Sequence, residues 1–179
     1  MREPLPQLIK LQRYKPLLNG LLFQLGWFAC VFGGDVIALL CTITLLFLHG
    51  IFFITVKCQW VFIAAVTLLG FLVDTGLALL HVFQFEQASL GYIPVWLVCI
   101  WTLFATTLNH SLYWLQHKLC LAALLGAISA PLSYLAGSKI TLVVLLDPLY
   151  LSLLPISICW ALMFPVLLIA SHYFSSKMV

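Results

Sequence analysis

The sequence predicts an all-α, polytopic transmembrane bundle of about six spans with both termini in the cytoplasm. Of its 179 residues, 64% are hydrophobic and 7% are charged, which is too little polar surface to cover a soluble globule of this size. A helix needs about 20 residues to cross roughly 30 Å of hydrocarbon, so the chain can hold about six spans and no separate soluble domain. Helices are expected because no alternating pattern typical of a transmembrane barrel occurs.

The spans are defined by apolar runs that end at charged or turn-forming residues. They lie at 17–34, 36–56, 60–83, 93–115, 119–137 and 152–174. This divides the chain into a basic cytoplasmic tail over 1–16, a single transmembrane bundle over 17–174 and a second cytoplasmic tail over 175–179. The first run lacks a small-residue cleavage site, so we expect it to stay as an anchor.

The first two runs meet at Gly33, Gly34 and Asp35. Two glycines permit a tight reversal, and the carboxylate would otherwise lie in the middle of the bilayer, so a hairpin is predicted here. Pro16 is expected to begin the first span, where its missing N–H costs least. The tail before it is predicted either to lie on the lipid headgroups or to be disordered.

The basic residues predict the orientation. With a cytoplasmic N-terminus, six spans place seven of the eight Lys and Arg residues inside and only Lys139 outside, as the positive-inside rule prefers. The net charge of +3 therefore reflects topology, and the absence of a basic patch with interleaved aromatic residues argues against nucleic-acid binding. The inside residues are Arg2, Lys10, Arg13, Lys15, Lys57, Lys118 and Lys177.

Residues 138–152 interrupt the apolar pattern with Lys139, Asp147 and Pro148. The apolar run between them is too short for a span, and Asp147 followed by Pro148 indicates a turn. We predict a re-entrant or interfacial segment on the outer face. The alternative is a seventh span, which would place the C-terminus outside.

Polar residues in the fourth span recur at steps of four, three, four and three residues, which places them on one face of a helix. A polar stripe of this length is expected to face the interior of the bundle. Its members are Thr102, Thr106, Asn109, Tyr113 and Gln116, with His110 beside them.

Asp74 is the only acidic residue well inside a predicted span. A charged Asp at the centre of a helix costs about 2.5 to 3.5 kcal/mol, so we expect it to be paired, protonated or exposed to water. Asn109 and His110 are its expected partners, and an Asp beside a His is what a proton relay or a general base needs. Alternatively, these polar groups only join helices, each hydrogen bond contributing about 0.6 kcal/mol.

The fifth span combines small residues with Pro131, which should kink the helix and free the carbonyl one turn earlier. Beside the kink, Ser133 and Tyr134 could line a cavity, or the kink could simply fit the helix to its neighbours. Two deeper indole groups, Trp27 and Trp101, need hydrogen-bond partners. Gln24 and the neighbourhood of Thr102 are expected to supply them.

These observations give a candidate polar core and no metal or cofactor site. The six cysteines lack the close spacing of a metal or redox motif and are expected to act as apolar filler. No His or Cys pair has ligand spacing, and no glycine-rich phosphate loop is present. The candidate residues are Gln24, Trp27, Asp74, Trp101, Thr106, Asn109, His110, Tyr113, Ser133 and Tyr134.

A pattern of scattered residues lies at 23–28, 74–75, 94–96, 101, 104–111, 126, 131–134 and 136–137. In this pattern the chain resembles a family of uncharacterised bacterial inner-membrane proteins. The resemblance touches four of the six spans and implies no established activity. Genes of that family often neighbour those of cyclopropane-fatty-acid-synthase-like methyltransferases, which suggests a role near membrane-lipid modification. The resemblance implies interest in eight residues and no catalytic role for any of them: Gln24, Trp27, Asp74, Trp101, Asn109, His110, Ser133 and Tyr134.

Three hypotheses about function follow. The first is a non-catalytic accessory protein of the bacterial inner membrane that binds membrane lipids or a peripheral enzyme, and it is preferred because it needs no special residue. The second is a small proton-coupled transporter that uses Asp74 and His110, although no internal repeat of three spans is present. The third is an intramembrane lipid-modifying enzyme with His110 as base and Asp74 as its orienting group.

Overall fold

In the computed structural model, the backbone is described for residues 6–54 and 56–176, and the side chains for 14–54 and 56–174. The described residues form five α-helices, a short 3-10 turn and one two-stranded ribbon, so the predicted all-α class is confirmed. The elements are α1 (Pro6–Phe52), α2 (Cys58–Leu79), β1 (Phe83–Phe85), α3 (Val95–Ala105), the 3-10 turn (Tyr113–Leu115), α4 (Leu119–Ile140), β2 (Val143–Leu145) and α5 (Tyr150–Ser176).

Four helices of the described chain are long and apolar enough to cross a membrane: α1 over Tyr14–Phe52, α2, α4, and α5 over Tyr150–Phe174. The last three match predicted spans to within a few residues. These helices are typical of a membrane protein, because nearly every residue on their outer faces is apolar.

The first helix, α1, consists of two arms that meet at Gly34. This glycine has φ 66° and ψ −172°, which breaks the helix, and only glycine adopts that region without strain. The arms fold back on each other and are in close contact. A Cβ atom on Gly26 of the first arm would lie only 2.7 Å from Leu45 Cδ1 of the second arm. The predicted hairpin is confirmed.

The N-terminal prediction is partly wrong. The helix begins at Pro6, so Pro16 lies inside it and does not begin it. The disordered alternative for the tail does not hold from Pro6 onward. Arg2, Lys177 and the side chains of Lys10 and Arg13 lie outside the described residues.

The predicted fourth helix over 93–115 is wrong in length, since α3 ends at Ala105. The hydroxyls of Thr106 and Thr107 donate to the carbonyls of Leu103 and Phe104 over 2.7 and 2.6 Å. The two backbone N–H groups bond the same carbonyls, which tightens the chain into turns. The stripe from Thr102 to Gln116 is therefore not one helical face.

The alternative of a seventh span over 138–152 is wrong, and the segment predicted as re-entrant or interfacial consists of the end of α4, the strand β2 and the start of α5. The helix α4 continues to Ile140, and β2 then pairs with β1 in an antiparallel ribbon that aligns Phe83 with Leu145. Ser152 closes this region, since its hydroxyl donates to the Val82 carbonyl over 2.5 Å. The pairing joins segments about sixty residues apart, so local apolarity could not predict it.

The last two helices pack closely through small residues. A Cβ atom on Gly126 of α4 would lie 2.7 Å from the Trp160 carbonyl oxygen of α5. The carbonyl of Ala127, one turn before Pro131, accepts a hydrogen bond from Ser157 Oγ over 2.7 Å. The prediction that Pro131 frees this carbonyl is therefore confirmed, and the neighbouring helix supplies the donor.

The bundle has two distinct ends. At the end that we call the hairpin end, residues 33–35 lie beside the β-ribbon and the start of α3, and Asp35 accepts a hydrogen bond from the Trp96 N–H. At the opposite end, which we call the basic end, lie Lys15, Lys57, Lys118 and the turns over 106–118. There Asn19 bonds Ser111, and Gln116 bonds Ser171, which ties α1 and α5 to the turns.

Candidate functional site

A cavity of about 730 Å³ lies between the first arm of α1, α3 and α4. It exists because α1 packs along α3 and α4 packs along α5, whereas α1 and α4 scarcely touch each other. Its volume falls within the range of about 300 to 1,000 Å³ that is typical of ligand sites. We call it the groove. The ten aromatic residues of its lining are Phe23, Trp27, Phe85, Trp96, Trp101, Phe104, Trp114, Tyr134, Trp160 and Phe164.

Small residues form part of the α4 wall of the groove, beside Leu125, Leu132 and Tyr134. Ser129, Ser133 and Gly137 are spaced by four residues, so they share one face of the helix, and all three line the groove. A Cβ atom on Gly137 would meet no atom within 4 Å. The opposite face of α4, with Gly126, packs on α5. The sequence allows α4 to be either a cavity wall or a packing surface, and it is both, on different faces.

A hydrogen bond bridges the groove. The indole N–H of Trp27 on α1 donates to Ser133 Oγ on α4 over 3.2 Å. The expectation that Gln24 is the partner of Trp27 is therefore wrong. Gln24 lies on the exposed surface of the first arm and lines the groove.

Behind the groove, Asp74 is held by two donors. It is 0% exposed, and its carboxylate accepts hydrogen bonds from Trp101 Nε1 over 2.6 Å and from the Tyr134 hydroxyl over 2.5 Å. Trp101 and Tyr134 line the groove, whereas Asp74 does not. The Trp101 ring stacks on Trp160 with centroids 4.9 Å apart. This triad therefore joins α2, α3 and α4 and fixes two side chains of the groove.

The expected pairing of Asp74 with Asn109 and His110 is wrong. His110 packs against His49 and Phe53, with ring centroids 5.1 and 5.3 Å apart, at the basic end. Asp74 lies sixteen residues after Cys58, the first residue of α2, or about 24 Å along the helix. Asp74 instead bonds Trp101 and Tyr134, and His110 contacts other rings at the opposite end of α2, so the acid and base that both the transporter and the enzyme hypothesis pair are not in contact.

Comparison with protein families gives one finding. A family model described as "Protein of unknown function (DUF2878)" matches residues 16–166. The chain belongs to the DUF2878 family. The match includes both arms of α1, all of α2, α3 and α4, and the part of α5 that carries Trp160 and Phe164. Comparisons with curated proteins and with solved structures gave no match. The resemblance to an uncharacterised family is confirmed at this level.

Other candidate residues of this DUF2878 protein form a second polar cluster at the basic end. Asn19 Nδ2 donates to the Thr106 carbonyl over 3.3 Å. Ser171 Oγ donates to Asn109 Oδ1 over 2.5 Å, and Gln116 Nε2 donates to Ser171 Oγ over 2.8 Å. These bonds satisfy polar groups at the closing turns, which is a structural role.

The predicted core is thus divided between two places. Trp27, Asp74, Trp101, Ser133 and Tyr134 come together at the groove, with Gln24 at its edge. Thr106, Asn109 and His110 lie in the basic-end turns, where Tyr113 is 50% exposed.

From the sequence, Ser133 and Tyr134 could line a cavity beside Pro131, and both line the groove, but no pattern predicts the rest of the groove. Its lining residues Phe23, Phe104 and Phe164 are apolar and give no signal that distinguishes a cavity from a packed core. The sequence predicts Asp35 only as a turn residue, whereas its carboxylate also accepts a hydrogen bond from the Trp96 N–H at the start of α3. The two partners are sixty-one residues apart, so no local pattern links them.

The described residues contain no group of three or more His, Cys, Asp or Glu side chains that could hold a metal ion. Cys30 and Cys99 are buried together in one apolar cluster with Ala38 and Leu103. Their surroundings are those of packing residues.

Proposed function

We propose that this protein is a multi-pass protein of the bacterial inner membrane that binds an acyl chain of a membrane lipid in the groove without altering it. The observation that carries the proposal is a cavity of about 730 Å³ with an aromatic and aliphatic lining, placed between apolar helices. Lipid tails already lie in an apolar solvent, so binding would depend on van der Waals fit to the aromatic walls.

A non-catalytic role is supported by the polar groups beside the groove. Both oxygens of Asp74 accept hydrogen bonds, and the donors, Trp101 and Tyr134, are held by those bonds. Asp74 is fully buried and does not line the groove, so its carboxylate would not contact a lipid bound there. The triad would keep the groove open by fixing its rear wall.

We further propose six spans with both termini in the cytoplasm, formed by the two arms of α1, α2, α3 with the turns that follow it, α4 and α5. Tyr14–Phe52 has 39 residues, about 58 Å of helix and almost twice the thickness of the hydrocarbon core, so a break at Gly34 suits two crossings. Lys15, Lys57 and Lys118 would then lie together on the cytoplasmic side. The proposed division remains a tail over 1–16, a bundle over 17–174 and a tail over 175–179.

The proposed role is that of an accessory to membrane-lipid modification. It is supported by the apolar groove and by the gene neighbours of the family that the sequence resembles. A peripheral enzyme would approach the basic end from the cytoplasm, where the lysine residues also face anionic lipid.

The decisive experiment fills the groove. Gly137→Phe places a ring in space that is empty next to the helix, and Gly76→Phe on α2 is the matched control, since its Cβ would also meet no atom within 4 Å and it does not line the groove. Each protein is reconstituted in vesicles with a lipid that carries a photoactivatable acyl chain. We expect crosslinking in the wild type and in Gly76→Phe, and its loss in Gly137→Phe. Equal labelling of both variants would refute the proposal.

A cysteine-accessibility experiment tests the topology. Single cysteines replace Gln87 at the hairpin end or Lys118 at the basic end in a cysteine-free background, and intact cells are treated with a membrane-impermeant maleimide. We expect labelling at position 87 only. Labelling at position 118 would contradict the proposed orientation.

A further inference from the structure

A second cavity of about 580 Å³ lies at the hairpin end and adjoins the groove. Four residues line both cavities: Val31, Phe85, Trp96 and Val143. Unlike the groove, the second cavity has a carboxylate in its wall, beside further polar side chains. We call it the polar mouth, and its polar residues are Asp35, Gln87, Ser89 and Thr141.

Asp35 is fixed in the polar mouth by two donors from outside its own helix. The Trp96 N–H donates to Asp35 Oδ1 over 2.9 Å, and Ser89 Oγ donates to Asp35 Oδ2. Trp96 belongs to the first turn of α3, whose N-terminus favours the negative charge. Each carboxylate oxygen has a further lone pair that can accept another hydrogen bond.

The negative charge of Asp35 has no cationic side chain beside it among the described residues that line the polar mouth. None of the described residues that line it is Lys, Arg or His. The exposed side chains of Gln87 and Ser89 place its outer edge at the end of the bundle. A bound group that carries a positive charge and N–H donors would complement Asp35, whereas an anionic group would be repelled.

We propose that the groove and the polar mouth together hold one lipid whose headgroup carries a primary ammonium. This rests on the proposed function and adds the class of lipid. The acyl chain occupies the groove, and the ammonium donates to Asp35 at the hairpin end. The lipid comes from the leaflet at the hairpin end, which is the leaflet opposite the basic end.

The experiment measures which lipids remain bound. The full chain is reconstituted in vesicles of equimolar phosphatidylethanolamine and phosphatidylglycerol, and the lipids that stay bound after extraction are quantified by native mass spectrometry. Only the ammonium headgroup can donate a charge-assisted hydrogen bond to Asp35, so we expect about a tenfold enrichment of phosphatidylethanolamine in the wild type, equivalent to about 1.4 kcal/mol.

Three variants make the result specific. Asp35→Asn keeps an acceptor for the Trp96 N–H but removes the charge, so the enrichment should disappear while the total bound lipid is unchanged. Asp35→Glu should keep much of the enrichment if the variant folds. Glu86→Gln removes an exposed acid at the same end that does not line the polar mouth and should behave as the wild type.

The outcomes separate the two proposals. If the wild type binds both lipids equally or prefers phosphatidylglycerol, the headgroup inference is overturned and the groove proposal stands. The headgroup inference is also overturned if the Asp35→Asn variant keeps the enrichment of phosphatidylethanolamine. A thermal unfolding transition shows that this variant is folded. If no lipid is bound by the wild type, and Gly137→Phe changes nothing, the proposed function fails as well.

Discussion

The indole N–H of Trp101 on α3 donates to Asp74 Oδ2 on α2 over 2.6 Å. This bond allows a carboxylate to lie in the middle of an apolar bundle, since it replaces water as a partner. It also orients the Trp101 ring between Gly70 and Trp160, as part of the groove wall. Stability and the shape of the groove therefore depend on the same contact.

Replacing Trp101 with Phe tests the contribution of this bond. The change keeps an aromatic ring but removes the N–H, which leaves one oxygen of buried Asp74 without a partner. We expect the free energy of unfolding in detergent micelles to fall by about 1 to 3 kcal/mol. Trp114→Phe is the control, because Trp114 is exposed and its indole makes no hydrogen bond among the described contacts. An equal effect of the two changes would contradict this account.

Gly70 tests the close approach of α2 to the Trp101 ring. A Cβ atom at this position would overlap the indole of Trp101. We expect Gly70→Ala to destabilise the protein by about 1 to 3 kcal/mol and to shift the tryptophan fluorescence spectrum. The matched change Gly76→Ala, in the same helix, meets no atom within 4 Å and should stabilise by about 0.5 to 1 kcal/mol. Thermal unfolding of the two variants should therefore shift in opposite directions.

Gly34 tests the reversal between the two arms of α1. Its φ of 66° is costly for a residue with a Cβ atom. We expect Gly34→Ala to lower the free energy of unfolding by about 1 to 2 kcal/mol, and Gly34→Asn to lower it by less, because Asn tolerates this conformation better. Chemical unfolding curves compare the two variants. If Ala and Asn were equally harmless, the arms would not require this turn.

The features that the sequence predicts correctly have local signals. Consecutive glycines before Asp35 predict the hairpin, and Pro131 predicts that the Ala127 carbonyl needs a new donor. Apolar length predicts α2, α4 and α5 to within a few residues. In each case the physical cause acts within one turn or one helix, so it can be read without knowledge of the neighbours.

The features that the sequence does not predict depend on contacts between distant segments. The sequence predicts Asp74, Trp101 and Tyr134 as candidates. Spacing along one helix does not show which residue of another helix faces Asp74, so their contact is not predicted. His110 was the expected partner on chemical grounds, yet the tight turns after Ala105 place it at the basic end. The pairing of β1 with β2 and the groove arise in the same way, from packing of separate elements.

The carbonyl freed by Pro131 provides a double-mutant test of how α4 and α5 are joined. Ser157→Ala removes the donor to Ala127, and we expect a loss of about 1 kcal/mol in the free energy of unfolding. In the background of Pro131→Ala, the new N–H of residue 131 can bond the same carbonyl within the helix, so Ser157→Ala should then cost much less. Ser138→Ala is the control, because its hydroxyl bonds the Leu135 carbonyl of its own helix. Additive effects of the changes at 131 and 157 would show that Ser157 does not act through this carbonyl.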